Sequence, residues 1–178
     1  ARDTFGEWEK AEAERRSVDV YQLLTEQMAS EPTDVLVLPH FTMAGTPHMD
    51  PNPVGAIIGL TLGTTRAQFL RAVLEGISYE LKLNLDILAS AGVSVREFRA
   101  IGGGAKSDFW LQLKADMYGR PVVRLQVAEA ASLGMAIVAG VALGIYSSAA
   151  QAAQALVVRR ETFLPDPRRA AHYDSMLA

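Results

Sequence analysis

A short apolar segment, three consecutive glycines and an amphipathic segment follow one another in residues 98–110, which read Phe98-Arg99-Ala100-Ile101-Gly102-Gly103-Gly104-Ala105-Lys106-Ser107-Asp108-Phe109-Trp110. The pattern predicts a strand, a tight bend and a helix capped by Ser107. Glycines let a backbone approach a ligand without a Cβ in between. The free N–H groups and the dipole at a helix N-terminus favour phosphate or ribose oxygens. We therefore expect Gly102, Gly103, Gly104 and Ser107 to form a nucleotide-binding bend.

Known nucleotide loops fit this bend to different degrees. A Walker P-loop requires glycine at the positions of Ala100 and Ala105, so that motif fails twice. A dinucleotide fingerprint fails at Ser107, and the next strand ends in Arg124 and Gln126 without an acid for the ribose. A nucleotide held by its adenosine half, with the Ser107 hydroxyl directed to the base, remains open, as does a tight turn without any ligand.

Around the bend, strand and helix patterns alternate, which is typical of α/β architecture. The strands are expected at 35–38, 55–60, 97–101 and 122–127. The helices are expected over 3–30, from a capping box at Thr65 and Gln68 to Gly92, from Ser107 to Tyr118, after Glu129, and near 148–158 and 167–177. On the long second helix, an apolar stripe is expected to face the core: Phe69, Val73, Ile77, Leu81, Leu85 and Leu88.

Composition limits the classes of function. The chain has 178 residues, 49% of them hydrophobic, which excludes a disordered protein. With a net charge of −3, the chain is a poor candidate for binding nucleic acid. It contains 0 Cys, which excludes disulfides and thiolate metal sites and fits a cytoplasmic location. Residues 130–158 carry no charge, yet their small residues predict a buried helix followed by a second short helix, and no membrane span.

The other candidate residues favour structural roles. His40, His48 and His172 lack metal-ligand spacing, so no metal site is expected. Glu75 and Glu80 lie on different faces of the long helix and are not expected to act as an acid–base pair; Glu75 is expected to anchor a loop and Glu80 to be solvated. His48 is interpreted as a loop anchor, and no catalytic residue is assigned in this chain.

Two motifs together resemble a known family. The strand at 55–60 (Gly-Ala-Ile-Ile-Gly-Leu), followed seven residues later by 68–75 (Gln-Phe-Leu-Arg-Ala-Val-Leu-Glu), resembles the second signature of the FGGY carbohydrate kinases. The run from Gly102 to Gln112 resembles the adenosine loop of that family. The resemblance implies the actin-like ATPase or ribonuclease H-like fold. It also implies that 1–178 is part of the C-terminal, nucleotide-binding lobe, without the N-terminal sugar-binding lobe.

The same resemblance implies an ATP-dependent transferase of carbohydrate metabolism that moves the γ-phosphate to a hydroxyl of a sugar or polyol. Ketoses such as xylulose or fuculose are the expected type. Gly103 and Gly104 would lie beside the ribose and α-phosphate, and Ser107 near adenine. The general base and the Mg²⁺ ligands belong to segments outside this chain, so the chain alone is expected to be inactive. A homodimer is possible from the sequence. Two alternative functions also remain open: a non-catalytic nucleotide- or protein-binding domain, and a Rossmann-type domain.

Overall fold

The structure, a computed structural model, describes residues 6–127 and 129–177. Its strands are β1 Leu36–Leu38, β2 Ala56–Ile58, β3 Phe98–Ala100, β4 Val122–Leu125 and β5 Arg159–Phe163. Its helices are α1 Glu7–Arg16, α2 Val20–Glu26, α3 Arg66–Ser90, α4 Asp108–Tyr118, α5 Ala130–Ala142, α6 Ala149–Leu156 and α7 Pro167–Ser175. The predicted α/β alternation is confirmed.

Two small sheets organise these elements. β1 and β2 pair antiparallel, with Val37 opposite Ile57. β3, β4 and β5 form a second sheet in that order, β3 parallel to β4 and β4 antiparallel to β5. The sequence analysis missed β5, because its residues Arg-Arg-Glu-Thr-Phe are mostly charged and exposed and the strand sits at the sheet edge.

The predicted N-terminal helix is divided in two. α1 ends at Ser17, whose φ of 52° is left-handed, and the Asp19 side chain then accepts a hydrogen bond from the Tyr21 backbone N–H to cap α2. Residues 3–5 of the predicted helix lie outside the described residues. The charged 3–30 segment has the composition of a helix, but Asp19 caps the start of a second helix, α2, within it.

The ends of α3 agree with the prediction from the sequence, but its buried face agrees only in part. The capping box of Thr65 and Gln68 is present, and Gly92 adopts a φ of 83° after the last turn. The predicted core-facing stripe is confirmed only in part. Val73 and Leu85 pack against the core, whereas Ile77 and Leu81 are each 42% exposed and Leu88 is 43% exposed. The fully buried residues lie on another face: Leu70, Arg71, Ala72, Glu75, Gly76 and Ser78.

A buried polar network explains why charged residues of α3 are buried. Arg71 Nε donates to Glu75 Oε1 at 2.6 Å, and the two residues are 2% and 1% exposed. Tyr173 of α7 donates to Glu75 Oε1 at 2.9 Å and accepts from Arg71 at 2.8 Å. Thr33 donates to Glu75 Oε2 at 2.8 Å, and Arg71 also donates to the Ala29 carbonyl at 2.9 Å. Because these charges are paired and hydrogen-bonded, they can be buried where a hydrophobicity pattern expects apolar residues.

Close contact between the backbones of α3 and β1 is the second reason why this face of α3 is buried. A Cβ on Gly76 would lie 2.2 Å from the Val37 carbonyl oxygen, so only glycine lets α3 approach β1 this closely. Gly76 therefore fixes the position of the β1–β2 hairpin on α3.

α5 also differs from its prediction as a buried helix. Met135 is 70% exposed and Val138 is 62% exposed, and Gly140 is the buried residue on this helix. The sequence of α5 shows that the helix is apolar and uncharged. A helix is buried, however, only where another element covers its outer face. Among the described residues, no helix is long and apolar enough to cross a membrane.

α4 provides the core beneath the bend. Leu111 and Ala115 pack with Val122 of β4, while Leu113 and Met117 pack with Tyr173 of α7. Gly119 ends the helix with a φ of 58°, as the sequence predicts. The helix is therefore fixed on both sides, and its N-terminus is held at the end of β3.

Candidate functional site

The glycine bend lies where β3 passes into α4. Gly102 has a φ of 75° and a ψ of −169°, a conformation that side chains disfavour, and a short 3₁₀ turn follows over Gly103–Lys106. In parallel α/β units, ligands bind beyond the carboxyl ends of the strands. β3 and β4 are parallel, so the bend occupies that edge of the sheet.

One side of the bend is open and the other is filled. A Cβ placed on Gly102 or Gly103 would meet no atom within 4 Å. A Cβ on Gly104 would lie 2.9 Å from the Trp110 ring. The fold therefore requires glycine at Gly102 for its backbone conformation and at Gly104 for close packing, whereas at Gly103 the space for a side chain is open.

Ser107 caps α4. Its Oγ accepts a hydrogen bond from the Trp110 backbone N–H at 3.2 Å, and the residue is half-buried. An oxygen that accepts in this way still has its own hydroxyl hydrogen to donate to a ligand. The structural role of Ser107 and the predicted contact with a nucleotide base are thus compatible.

Trp110 supports the bend from behind. Its indole N–H donates to Ser78 Oγ at 3.1 Å, which joins α4 to α3. Lys114 Nζ lies 4.2 Å from the centre of the Trp110 ring, and burial lowers the pKa of Lys114. Trp110 is half-buried between the bend and α3.

Arg124 is a residue of the site that the sequence analysis did not select. Its Nε donates to the Ala105 carbonyl at 2.8 Å, and its guanidinium also pairs with Asp108 in the first turn of α4. The guanidinium lies 5.4 Å from the centre of the Phe163 ring on β5. The sequence did contain a signal for this role. β4 is the parallel neighbour of β3, so a cation at the carboxyl end of β4 lies beside the bend.

Other charged residues have local roles. Lys106 belongs to the bend and is exposed at the end of its 3₁₀ turn, and Glu129 precedes α5 without capping it through its side chain. Glu75 anchors the loop at Thr33, as expected. Asp50 anchors its own loop, because its carboxylate accepts from the Asn52 N–H at 2.9 Å.

Two histidines of the loop after β1 meet Glu80 of α3 in the structure. His40 and His48 lie with Glu80 in one cluster, in which a ligand atom from each residue is within 4.8 Å of the others. Linear spacing gave no sign of this, because the loop after β1 folds back on α3. Glu80, predicted to be solvated, has an oxygen 3.2 Å from His40 Nε2.

A cavity of about 300 Å³ opens at the opposite end of β3 from the bend. It is lined by the last turns of α3 and by Phe98, Tyr118 and Arg120. Its position at the amino end of β3 separates it from the glycines. We therefore take the bend as the candidate site, on its chemistry and its place in the fold.

Comparisons of this sequence with known proteins agree on one family. The sequence model described as the FGGY family of carbohydrate kinases, C-terminal domain, matches residues 2–143. A glycerol kinase of Variovorax paradoxus is 40% identical over 147 residues, covering 80% of this chain and 29% of the relative. A xylulose kinase of Staphylococcus epidermidis is 39% identical over 132 residues, covering 74% of this chain and 27% of the relative.

Solved structures show the same fold. The ligand-bound xylulose kinase of Lactobacillus acidophilus superposes with a TM-score of 0.79 at 24% identity, over 90% of this chain and 33% of that one. The Plasmodium falciparum glycerol kinase with ADP gives 0.75 at 23% identity, over 93% of this chain and 34% of that one. This chain thus spans about a third, or slightly less, of the length of these proteins.

The fold predicted from the resemblance, actin-like and ribonuclease H-like, is confirmed by these neighbours and by the mixed α/β architecture, in place of a Rossmann domain. The chain belongs to the FGGY family of carbohydrate kinases, whose C-terminal domain it matches over most of its length.

Proposed function

We propose that the protein containing this chain transfers the γ-phosphate of ATP to a hydroxyl of a sugar or polyol, and that this chain supplies the adenosine side of the nucleotide site. The observation that carries the proposal is the open backbone at Gly102 and Gly103 beside the N-terminus of α4. A nucleotide can approach there without meeting a side chain.

Each residue of the bend has a role in this proposal. The backbone at Gly103 and Gly104 faces the ribose and α-phosphate, and the Ser107 hydroxyl donates to the base. Arg124 acts as a positioning residue, because it holds the Ala105 carbonyl and the first turn of α4. Trp110 fills the space behind Gly104 and keeps the bend from collapsing into the core.

The reacting end of the nucleotide lies with other segments. Phosphoryl transfer requires Mg²⁺, clamps on the phosphates and a base that positions the acceptor hydroxyl. The proposal places the Mg²⁺ ligands and that base outside residues 1–178, in a lobe that also selects the sugar. The kinases named above act on glycerol or xylulose by name, so a polyol or a ketose is the proposed acceptor.

ADP release by the intact protein tests this function, with glycerol, xylulose, fuculose and ribulose as acceptors. We expect turnover with at least one acceptor, and none from the 178-residue chain alone. Turnover by the isolated chain would refute the proposal that the Mg²⁺ ligands and the base lie outside it. Binding of NAD(H) without binding of ADP would refute the nucleotide assignment itself.

A second candidate is a domain that binds a partner protein without catalysis. The exposed apolar residues of α5 favour it, since Met135 and Val138 are more than half exposed. The same assay separates the two functions, because a binding module would give neither turnover nor ADP binding in the intact protein.

A further inference from the structure

The loop after β1 and helix α3 bring three metal-ligating side chains together, away from the glycine bend. His40 and His48 both lie in the proline-rich loop that follows β1, and Glu80 lies in the middle of α3. One ligand atom from each residue is within 4.8 Å of the other two. The two imidazole rings meet edge-on, with their centres 5.5 Å apart.

One imidazole nitrogen of this cluster, His40 Nε2, has no hydrogen-bond partner. His40 Nε2 is buried and makes no hydrogen bond, although Glu80 Oε1 is only 3.2 Å away. A buried polar atom without a partner costs free energy. Two ligands of a tetrahedral ion with bonds of about 2.0–2.1 Å are separated by roughly 3.3 Å. The nitrogen and the oxygen are therefore spaced as two ligands of one ion would be.

We propose that His40, His48 and Glu80 bind a divalent late first-row transition ion of the zinc class. Two imidazoles and one carboxylate are ligands that Zn²⁺ accepts, with water in the fourth position. The nitrogen ligands disfavour Mg²⁺, which prefers an octahedron of oxygens. This site is thus chemically distinct from the magnesium of phosphoryl transfer.

The ion would fasten the loop to α3. Asn84 already links these elements, since its side-chain amide donates to the Thr46 carbonyl at 3.1 Å. His48 is exposed, which leaves a path for the ion and for its water. The site therefore stabilises the loop in the folded state, since an ion that binds only the folded form shifts unfolding to higher temperature.

Titration of the metal-stripped, untagged intact protein with Zn²⁺ tests this inference by calorimetry. We expect one bound Zn²⁺ per chain and a higher Tm in its presence. Co²⁺ in place of Zn²⁺ is expected to give the intense visible absorption of a tetrahedral site. None of these readouts depends on kinase activity, so failure here leaves the proposed function untouched.

Three variants locate the site. His48→Gln and Glu80→Gln are expected to weaken Zn²⁺ binding about tenfold or more. The matched control is His172→Gln, which changes the third histidine, in α7, and is expected to bind as the wild type does. Because His48 is exposed, its variant keeps the fold and decides the result even if Glu80→Gln unfolds. Equal Zn²⁺ affinity in His48→Gln and the wild type, or no binding by the wild type, would overturn the proposal.

Discussion

Helices α3 and α4 begin alike but differ in the charged residues that they bury. Thr65 and Ser107 cap them through the same type of hydrogen bond, in which each side-chain oxygen accepts from the backbone N–H three residues on. Both helices bury apolar residues, such as Leu70 on α3 and Leu111 on α4, but α3 also buries the Arg71–Glu75 ion pair. Local sequence determines where both helices start. What each helix buries depends on its partners, and the buried ion pair of α3 is completed by Tyr173 and Thr33, which lie far from it in sequence.

The largest expected effect comes from breaking the polar face of α3. Glu75→Ala leaves the Arg71 guanidinium buried without its carboxylate, and we expect a loss of about 3–5 kcal/mol in the free energy of unfolding. Urea denaturation measures it. The control is Glu31→Gln, which removes an exposed ion pair with Arg169 and is expected to change stability little. A Glu75→Ala protein as stable as the wild type would show that the network does not hold the fold.

A smaller effect tests the close approach of α3 to β1. Gly76→Ala forces a methyl group toward the Val37 carbonyl, and we expect a cost of about 1–3 kcal/mol. Gly134→Ala in α5 is the matched control: its Cβ meets nothing within 4 Å, so higher helix propensity should stabilise the protein by up to roughly 1 kcal/mol. Opposite signs in thermal unfolding are the expected result, and stabilisation by both changes would contradict the packing described for Gly76.

The smallest effects on stability are expected from removing the N-caps of α3 and α4, and ADP binding distinguishes the two caps. Thr65→Ala and Ser107→Ala each remove one cap, at about 1 kcal/mol of unfolding free energy. Ser107→Ala should in addition weaken ADP binding by the intact protein, because its hydroxyl is proposed to contact the base. Thr65→Ala should leave ADP affinity unchanged. Calorimetry with both variants checks this, and equal ADP affinities would remove Ser107 from the proposed site.

Much of the fold was readable because its signals are local. The capping box at Thr65, the cap at Ser107 and the left-handed glycines at Gly92 and Gly119 each act within a few residues. The signature motifs then indicated the family. The bend was recognised for the same reason, since three adjacent glycines before a helix carry their chemistry in the sequence.

What the sequence did not reveal depends on distant contacts. Tyr173 is far from Glu75 in sequence, so nothing local predicts that it completes the buried network. β5 is held to β4 by backbone pairing, which leaves no apolar pattern to find. Arg124 reaches the bend, and His40 reaches Glu80, only after the strands and loops are in place.

Calorimetric titration of the intact Gly103→Ala protein with ADP tests the central claim most directly. The added methyl group meets no protein atom within 4 Å, so the fold and its stability should stay as in the wild type. We expect the affinity for ADP to fall about tenfold or more, because the methyl group occupies the space proposed for the nucleotide. Unchanged ADP affinity in a properly folded Gly103→Ala protein would contradict the account.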